Sequence, residues 1–312
     1  MADEELPDRI RSLGFVGLGR MGRPMATRLG RAGYEVRGFD ISDQARAAFG
    51  AATKDALTAA AVKTLAQAAE DADAVILMLP DSVIIGEVAH DQGLLDAMGT
   101  GTLLIDMSSA DPAATAKLAE EAAVRKITLI GAPVSGGVPG AARGTLTIMA
   151  GGPKHAVQRA RPVLAALGSR VVHVGPMPAA GHALKALNNL LAAVSMVATS
   201  EAMLAGQRFG LDPAVMLDVI NTSTGRNFAT LRNWPDYVLT GGYDSGFAMD
   251  LLVKDALIGL DLEHAAGTGS RLAEVTVEMW RRAANWLPAG ADHTEIVRWL
   301  EHTREGAGDF TE

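Results

Sequence analysis

Cysteine is absent from all 312 residues. Disulfides, cysteine-ligated zinc and a thiolate nucleophile are thereby excluded together, so any catalysis falls to other groups. The absence also fits a reducing compartment, and a cytoplasmic location is expected. Positive charge is in deficit: 28 Lys and Arg against 36 Asp and Glu leave a formal net charge of −8. That balance disfavours nonspecific attraction to nucleic acid or to an anionic membrane, and neither is expected as a partner. The seven histidines show no H-x-x-x-H or facial-triad spacing, so no metal is expected. No continuous apolar run reaches the ~20 residues a bilayer requires. Residues 187–205 come nearest, but Asn188, Asn189, Ser195, Thr199, Ser200 and Glu201 interrupt them, and a buried helix is the better reading. Met1 to Asp8 is acidic and lacks the basic and apolar regions of a secretory signal. Residues 1–12 are therefore read as a short solvated tail.

What is present is an ordinary globular composition, 48 % hydrophobic and 21 % charged, in a chain long enough for two domains. Its most informative stretch is Leu13 to Gly22, where an apolar run enters Gly17-Leu18-Gly19-Arg20-Met21-Gly22 and then a helical pattern. This is a G-x-G-x-x-G turn between strand and helix. Gly17 would permit the tight turn, Gly19 would let backbone N–H groups approach a pyrophosphate, and Gly22 would let the helix pack closely on the strand. Pro24 suits a first helical turn, and a second strand, Tyr34 to Phe39, ends in Asp40. An acidic residue there can bond the ribose hydroxyls of NAD and repel the 2′-phosphate of NADP. The cofactor-binding set is accordingly Gly17, Leu18, Gly19, Arg20, Met21, Gly22 and Asp40, with NAD expected and NADP possible.

Apolar strands then alternate with helical stretches to about residue 174, the pattern of a parallel sheet with crossover helices. Residues 74–79, 102–107, 127–130, 146–149 and 170–174 read as strands, and the Ala-rich stretch 45–61 as helix and turn. Asp111-Pro112 signals a helix start directly after the Ser108-Ser109 loop. Past Gly175-Pro176-Met177-Pro178 helical spacing takes over. The domains are thus expected at 13–176, a doubly wound dinucleotide-binding sheet, and 177–312, an all-α substrate and oligomerisation domain. A long helix, Gly181 to Phe209, should join them and be buried around most of its circumference, because apolar residues occupy most of it. Asp212-Pro213 and Asp292-His293-Thr294-Glu295 mark further helix starts.

A proton acceptor is needed wherever an alcohol is oxidised by hydride removal. Lys185 is the candidate: it stands near the start of the long helix among Leu184, Ala186 and Leu187, with Asn189 four residues on and on the same face. Apolar neighbours would favour its uncharged form. The competing reading, a solvated helix lysine, describes most lysines. His182 reads as a structural histidine. Arg226 and Asn227 could reach a substrate or cap a helix.

The segments Gly17 to Gly22, Asp106-Met107-Ser108-Ser109, Ala132-Pro133-Val134-Ser135-Gly136-Gly137, Gly144-Thr145-Leu146, Gly181 to Asn189 and Lys254-Asp255 together resemble the β-hydroxyacid dehydrogenase family, over nearly the whole chain. The resemblance implies that Lys185 is the catalytic acid/base and that Asn189 orients it and the substrate. It implies that Ser135, Gly136 and Gly137, with Ser109, bind the substrate carboxylate. Successive glycine amides suit an anion independently. Ser109 and Lys254 would also face the nicotinamide end of the cofactor, and Leu79 and Pro80 complete that set. The implied activity interconverts a small 3-hydroxy carboxylate and its semialdehyde, 3-hydroxyisobutyrate and methylmalonate semialdehyde first and tartronate semialdehyde second, in a homodimer or homotetramer. The chain departs from the family pattern at Gly131, where many relatives carry aspartate. Short-chain dehydrogenases are excluded, since four residues after Tyr34, Tyr237 and Tyr243 stand Gly38, Gly241 and Phe247 rather than lysine. A dinucleotide sensor without catalysis is the alternative from another class.

Overall fold

A computed structural model describes residues 9–54 and 58–305. Of the expected tail, residues 1–8 lie outside them. The chain forms two compact units, Met1–Lys185 and Ala186–Glu312.

In the first unit the elements run β1 (Ser12–Val16), α1 (Gly22–Arg31), β2 (Glu35–Phe39), α2 (Asp43–Ala52), β3 (Ala59–Ala61), α3 (Leu65–Ala69), β4 (Ala74–Leu77), α4 (Ser82–Ala89), α5 (Leu94–Ala97), β5 (Leu103–Asp106), α6 (Pro112–Val124), β6 (Thr128–Gly131), β7 (Val134–Ser135), α7 (Gly137–Arg143), β8 (Thr147–Gly151), α8 (Lys154–Leu167) and β9 (Arg170–Gly175). The sheet order is β3-β2-β1-β4-β5-β6-β8-β7, with β9 on β8. Strands β1 to β6 are mutually parallel. Their side chains alternate between two cores: Leu13, Phe15, Ile76 and Ile105 enter one, while Val16, Val75, Leu77 and Leu104 enter the other. Strands covered on both faces must be apolar throughout, which is why these runs were legible as strands.

Two expectations are corrected here. The sheet is not wholly parallel, because β8 meets both β6 and β7 antiparallel. Only Ala132 and Pro133 separate β6 from β7, so no crossover helix fits there, and the chain returns through α7 instead. Ala59–Ala61 is also an edge strand rather than helix or turn, since its backbone pairs with Val36 to Gly38. Pairing overrides the weak strand preference of alanine.

The long helix is α9 (Ala179–Phe209), and the boundary between the two units falls inside it. The second unit continues with α10 (Pro213–Asn221), a π-helical segment (Ala229–Val238), α11 (Met249–Ala265), α12 (Arg271–Trp286) and a 3₁₀ turn (His293–Glu295) leading into α13 (Ile296–Glu305). Asp111, Asp212 and Asp292 each cap a helix start as their sequence signals require. Trp234 and Trp280 anchor this unit's core, with indole N–H groups donating to Ser200 Oγ and the Ala193 carbonyl, both at 3.2 Å. By length and composition α9 alone among the described helices could cross a membrane, and half of its most apolar window is buried. Burial repeats through Ala186, Leu190, Ala193 and Val197 while Leu184, Leu187 and Leu191 are exposed. The expectation of burial around most of the circumference is thus wrong: one face is covered, and the other is apolar and open.

Candidate active site

The fingerprint glycines meet their three demands separately. Gly17 has φ +96°, and a Cβ there would overlap the Met78 carbonyl oxygen. A Cβ on Gly22 would overlap the Gly17 carbonyl, whereas Gly19 has nothing within 4 Å. The turn is closed where helix meets strand and open where a phosphate would approach, so it fits a dinucleotide. Asp40 follows β2 and reaches back: its Oδ2 accepts Leu18 N–H at 2.7 Å and its Oδ1 accepts Ser42 N–H at 2.8 Å. The carboxylate is thereby fixed beside the glycine turn. Arg20 is exposed, and Met21 is partly buried at the helix entrance.

Next to this turn two strand ends are tied together. The Leu79 N–H donates to Ser108 Oγ at 3.0 Å, and the Ser108 N–H donates to Asp106 Oδ1 at 3.0 Å. Leu79 and Pro80 thus neighbour the Ser108-Ser109 loop at the carboxyl ends of β4 and β5. Ligands of open α/β sheets collect at that edge. Ser135 ends β7, and Gly136 and Gly137, both at positive φ, open α7.

Lys185 is only 9 % exposed, which sets aside the solvated-lysine reading. It lies one turn after His182, which is fully buried with Nε2 3.4 Å from Asp106 Oδ2. The Ala110 N–H donates to His182 Nδ1 at 3.3 Å. Gly131 explains itself at this point. A Cβ there would overlap the Pro178 carbonyl and stand 2.7–2.8 Å from the His182 ring. A side chain such as aspartate at this position has no room beside this histidine.

In the second unit Asn189 is buried, and its Nδ2 donates to Asp255 Oδ2 at 2.6 Å. A carboxylate only accepts, so the amide orientation is fixed. Lys254 Nζ pairs with Asp255 Oδ1 at 2.9 Å. Asn227 proves to be a helix cap, its Oδ1 accepting Ala229 N–H at 2.8 Å. Sequence reasoning passed over Asp106 and Asp255 as participants. Asp106 is the lone carboxylate of an apolar strand, Leu103-Leu104-Ile105-Asp106, and that isolation was an available signal; Asp255 shares α11 with Asp250, Asp261 and Glu263 and carried none.

A doubly wound sheet with an open glycine turn, an acid at the end of β2 and a buried lysine on the following helix define a dinucleotide-dependent oxidoreductase. Comparison with known proteins agrees. Residues 12–175 match the NAD binding domain of 6-phosphogluconate dehydrogenase, and residues 179–300 match the domain described as the NAD-binding of NADP-dependent 3-hydroxyisobutyrate dehydrogenase. The chain is 39 % identical to 2-(hydroxymethyl)glutarate dehydrogenase of Eubacterium barkeri, over 80 % of this chain and 81 % of that one. It is 36 % identical to the NAD-dependent L-serine dehydrogenase of Pseudomonas aeruginosa, over 95 % and 99 % respectively. The structure of Mycobacterium tuberculosis 3-hydroxyisobutyrate dehydrogenase with L-serine superposes with a TM-score of 0.85 at 31 % identity, covering 93 % of this chain and 99 % of that one. The chain belongs to the β-hydroxyacid dehydrogenase family and is an oxidoreductase that uses NAD(P).

Proposed function

We propose that this chain interconverts a 2-substituted 3-hydroxypropanoate and its semialdehyde, with Lys185 as the general acid/base and NAD as the preferred cofactor. The observation that carries the proposal is a lysine buried on the helix that follows a dinucleotide fold. The substrates named for the similar proteins share one skeleton: a primary alcohol one carbon from a carbon that bears a carboxylate. They differ in the third group on that carbon, which is methyl, amino or carboxyethyl. 3-Hydroxyisobutyrate is the first substrate to try, and tartronate semialdehyde in the reducing direction the second.

The bound dinucleotide supplies the hydride acceptor. The chain supplies the rest. Lys185 Nζ, uncharged at the moment of reaction, accepts the hydroxyl proton and returns it in reduction. Asn189, one turn on along α9 and held by Asp255, orients the reacting oxygen. The Ser135 hydroxyl and the amides of Gly136 and Gly137 receive the carboxylate. Asp40 favours NAD by bonding ribose hydroxyls and repelling a 2′-phosphate. The exposed leucines of α9 suit burial against a second copy, so a homodimer or homotetramer is part of the proposal, as is a cytoplasmic location.

The test is kcat/KM for 3-hydroxyisobutyrate, L-serine, 2-(hydroxymethyl)glutarate, glycerate and 3-hydroxypropionate with NAD and with NADP. Turnover of at least one with NAD favoured supports the reading. Dinucleotide binding without turnover of any of them, in either direction, would move the assignment to a sensor.

A further inference from the structure

Lys185 can serve as acid/base only if its helix is registered on the loops that would hold the cofactor, and one buried pair makes that connection. Asp106 terminates β5 and is 1 % exposed. One of its oxygens takes the Ser108 N–H, and Ser108 Oγ in turn takes the Leu79 N–H, so the loops after β4 and β5 share this carboxylate. The other oxygen faces His182 Nε2 at 3.4 Å. An N–H can donate only to a bare ring nitrogen, and Ala110 N–H donates to Nδ1. With Nδ1 accepting, a ring proton belongs on Nε2, the nitrogen that lies 3.4 Å from Asp106 Oδ2.

The backbone is arranged to let His182 come this close. A Cβ on Gly181 would overlap the carbonyl oxygens of Gly131 and Met149, and a Cβ on Gly131 would strike the His182 ring. The first turn of α9 thus sits directly on the ends of β6 and β8, with glycines at the contact points. His182 is the side chain that this close seating directs into the sheet edge. Three residues later on the same helix comes Lys185.

We infer that His182 is a positioning residue: with Asp106 it fixes the register of Lys185 against the Leu79 and Ser108-Ser109 loops. This rests on the reading of Lys185 as the acid/base. Misplacing a reacting group by about 1 Å can cost on the order of 10²-fold in rate, so the pair acts on turnover rather than on cofactor affinity.

The experiment compares His182→Leu, His182→Gln, Lys185→Ala and the double variant His182→Leu/Lys185→Ala, recording kcat, KM, NADH affinity by fluorescence titration and melting temperature. His182→Leu fills the space without hydrogen bonding, and kcat is expected to fall roughly 10- to 100-fold with NADH affinity kept. His182→Gln restores a donor at the reach of Nε2 and should regain most of the loss. In the Lys185→Ala background His182→Leu should cost little more, because a residue acting through the lysine has nothing left to position. Wild-type kcat in His182→Leu, an equal fold-loss in both backgrounds, or loss of NADH binding alone would each overturn the inference. Lys185→Ala by itself reports on the underlying reading: if it keeps full kcat the lysine assignment fails, whatever His182 does.

Discussion

The two units differ in how they present apolar surface and in how they use a buried carboxylate. Of the exposed large hydrophobic side chains among the described residues, five lie in the sheet unit and thirteen in the smaller helical unit. The sheet unit covers its own apolar faces, since helices pack on both sides of the sheet. A helix with apolar residues on opposite sides cannot be satisfied within one small bundle, and α9 leaves Leu187 and Leu191 uncovered. The sheet unit is thus the self-sufficient scaffold, and the helical unit is the one with surface left to bury. The carboxylates follow the same division. Asp106 orders backbone loops at a sheet edge, where the main chain itself does the binding in this fold class. Asp255 orders side chains, fixing the Asn189 amide and pairing with Lys254.

The comparison breaks first at Asp255. Asp255→Ala leaves the buried Asn189 amide without its acceptor, at an expected cost of about 1–3 kcal/mol in stability. Turnover should fall further than melting temperature implies, while NADH affinity in the sheet unit stays near wild type. A variant with full kcat and only a lower melting temperature would reduce Asp255 to a packing residue. Gly131 sharpens the picture on the other side. Gly131→Ala forces the Pro178 carbonyl or the His182 ring to move, an overpacking cost of about 1–3 kcal/mol. Unchanged thermal stability in Gly131→Ala would contradict the tight seating of α9 on β6.

A smaller effect is expected in acid. Burial raises the pKa of Asp292, but hydrogen bonds from His293, the Thr294 hydroxyl and amide, and Ser245 outweigh it and hold the carboxyl well below its usual range. Asp73 in the sheet unit is lowered too, burial again being outweighed by the Ser12 and Arg11 amides and the Ser12 hydroxyl. A depressed folded pKa contributes stability above the unfolded value that is lost as pH falls through and below it. Melting temperature should therefore decline as pH drops below the ordinary aspartate value of 3.8. Asp292→Asn should flatten that decline, and an unchanged slope would argue against it.

Local signals were legible in the sequence, and pairings across long separations were not. Gly17 to Gly22, the capping aspartates and the doubly apolar strands each depend on a few neighbouring residues. The edge strand at Ala59–Ala61 exists only because β2 offers a free edge, and no alanine triplet announces that. The reversed direction of β8 arises where the chain turns back from β7 through the short α7, which the strand pattern alone did not weigh. Apolar side chains on α9 look alike whether they face a core or solvent, so its open face was invisible. At the site, Lys185 and Asn189 were found from helix spacing and family resemblance. Asp106 and Asp255 meet their partners across 76 and 66 residues, respectively, and only the fold brings them together.

The central claim is that a buried lysine, not the dinucleotide fold alone, defines the activity. It is tested most directly by kcat and NADH affinity of Lys185→Ala on the best substrate of the panel. Loss on the order of 10²- to 10⁴-fold in kcat is expected, the usual contribution of a positioned general acid/base, with NADH affinity unchanged. Wild-type kcat in Lys185→Ala would contradict the account.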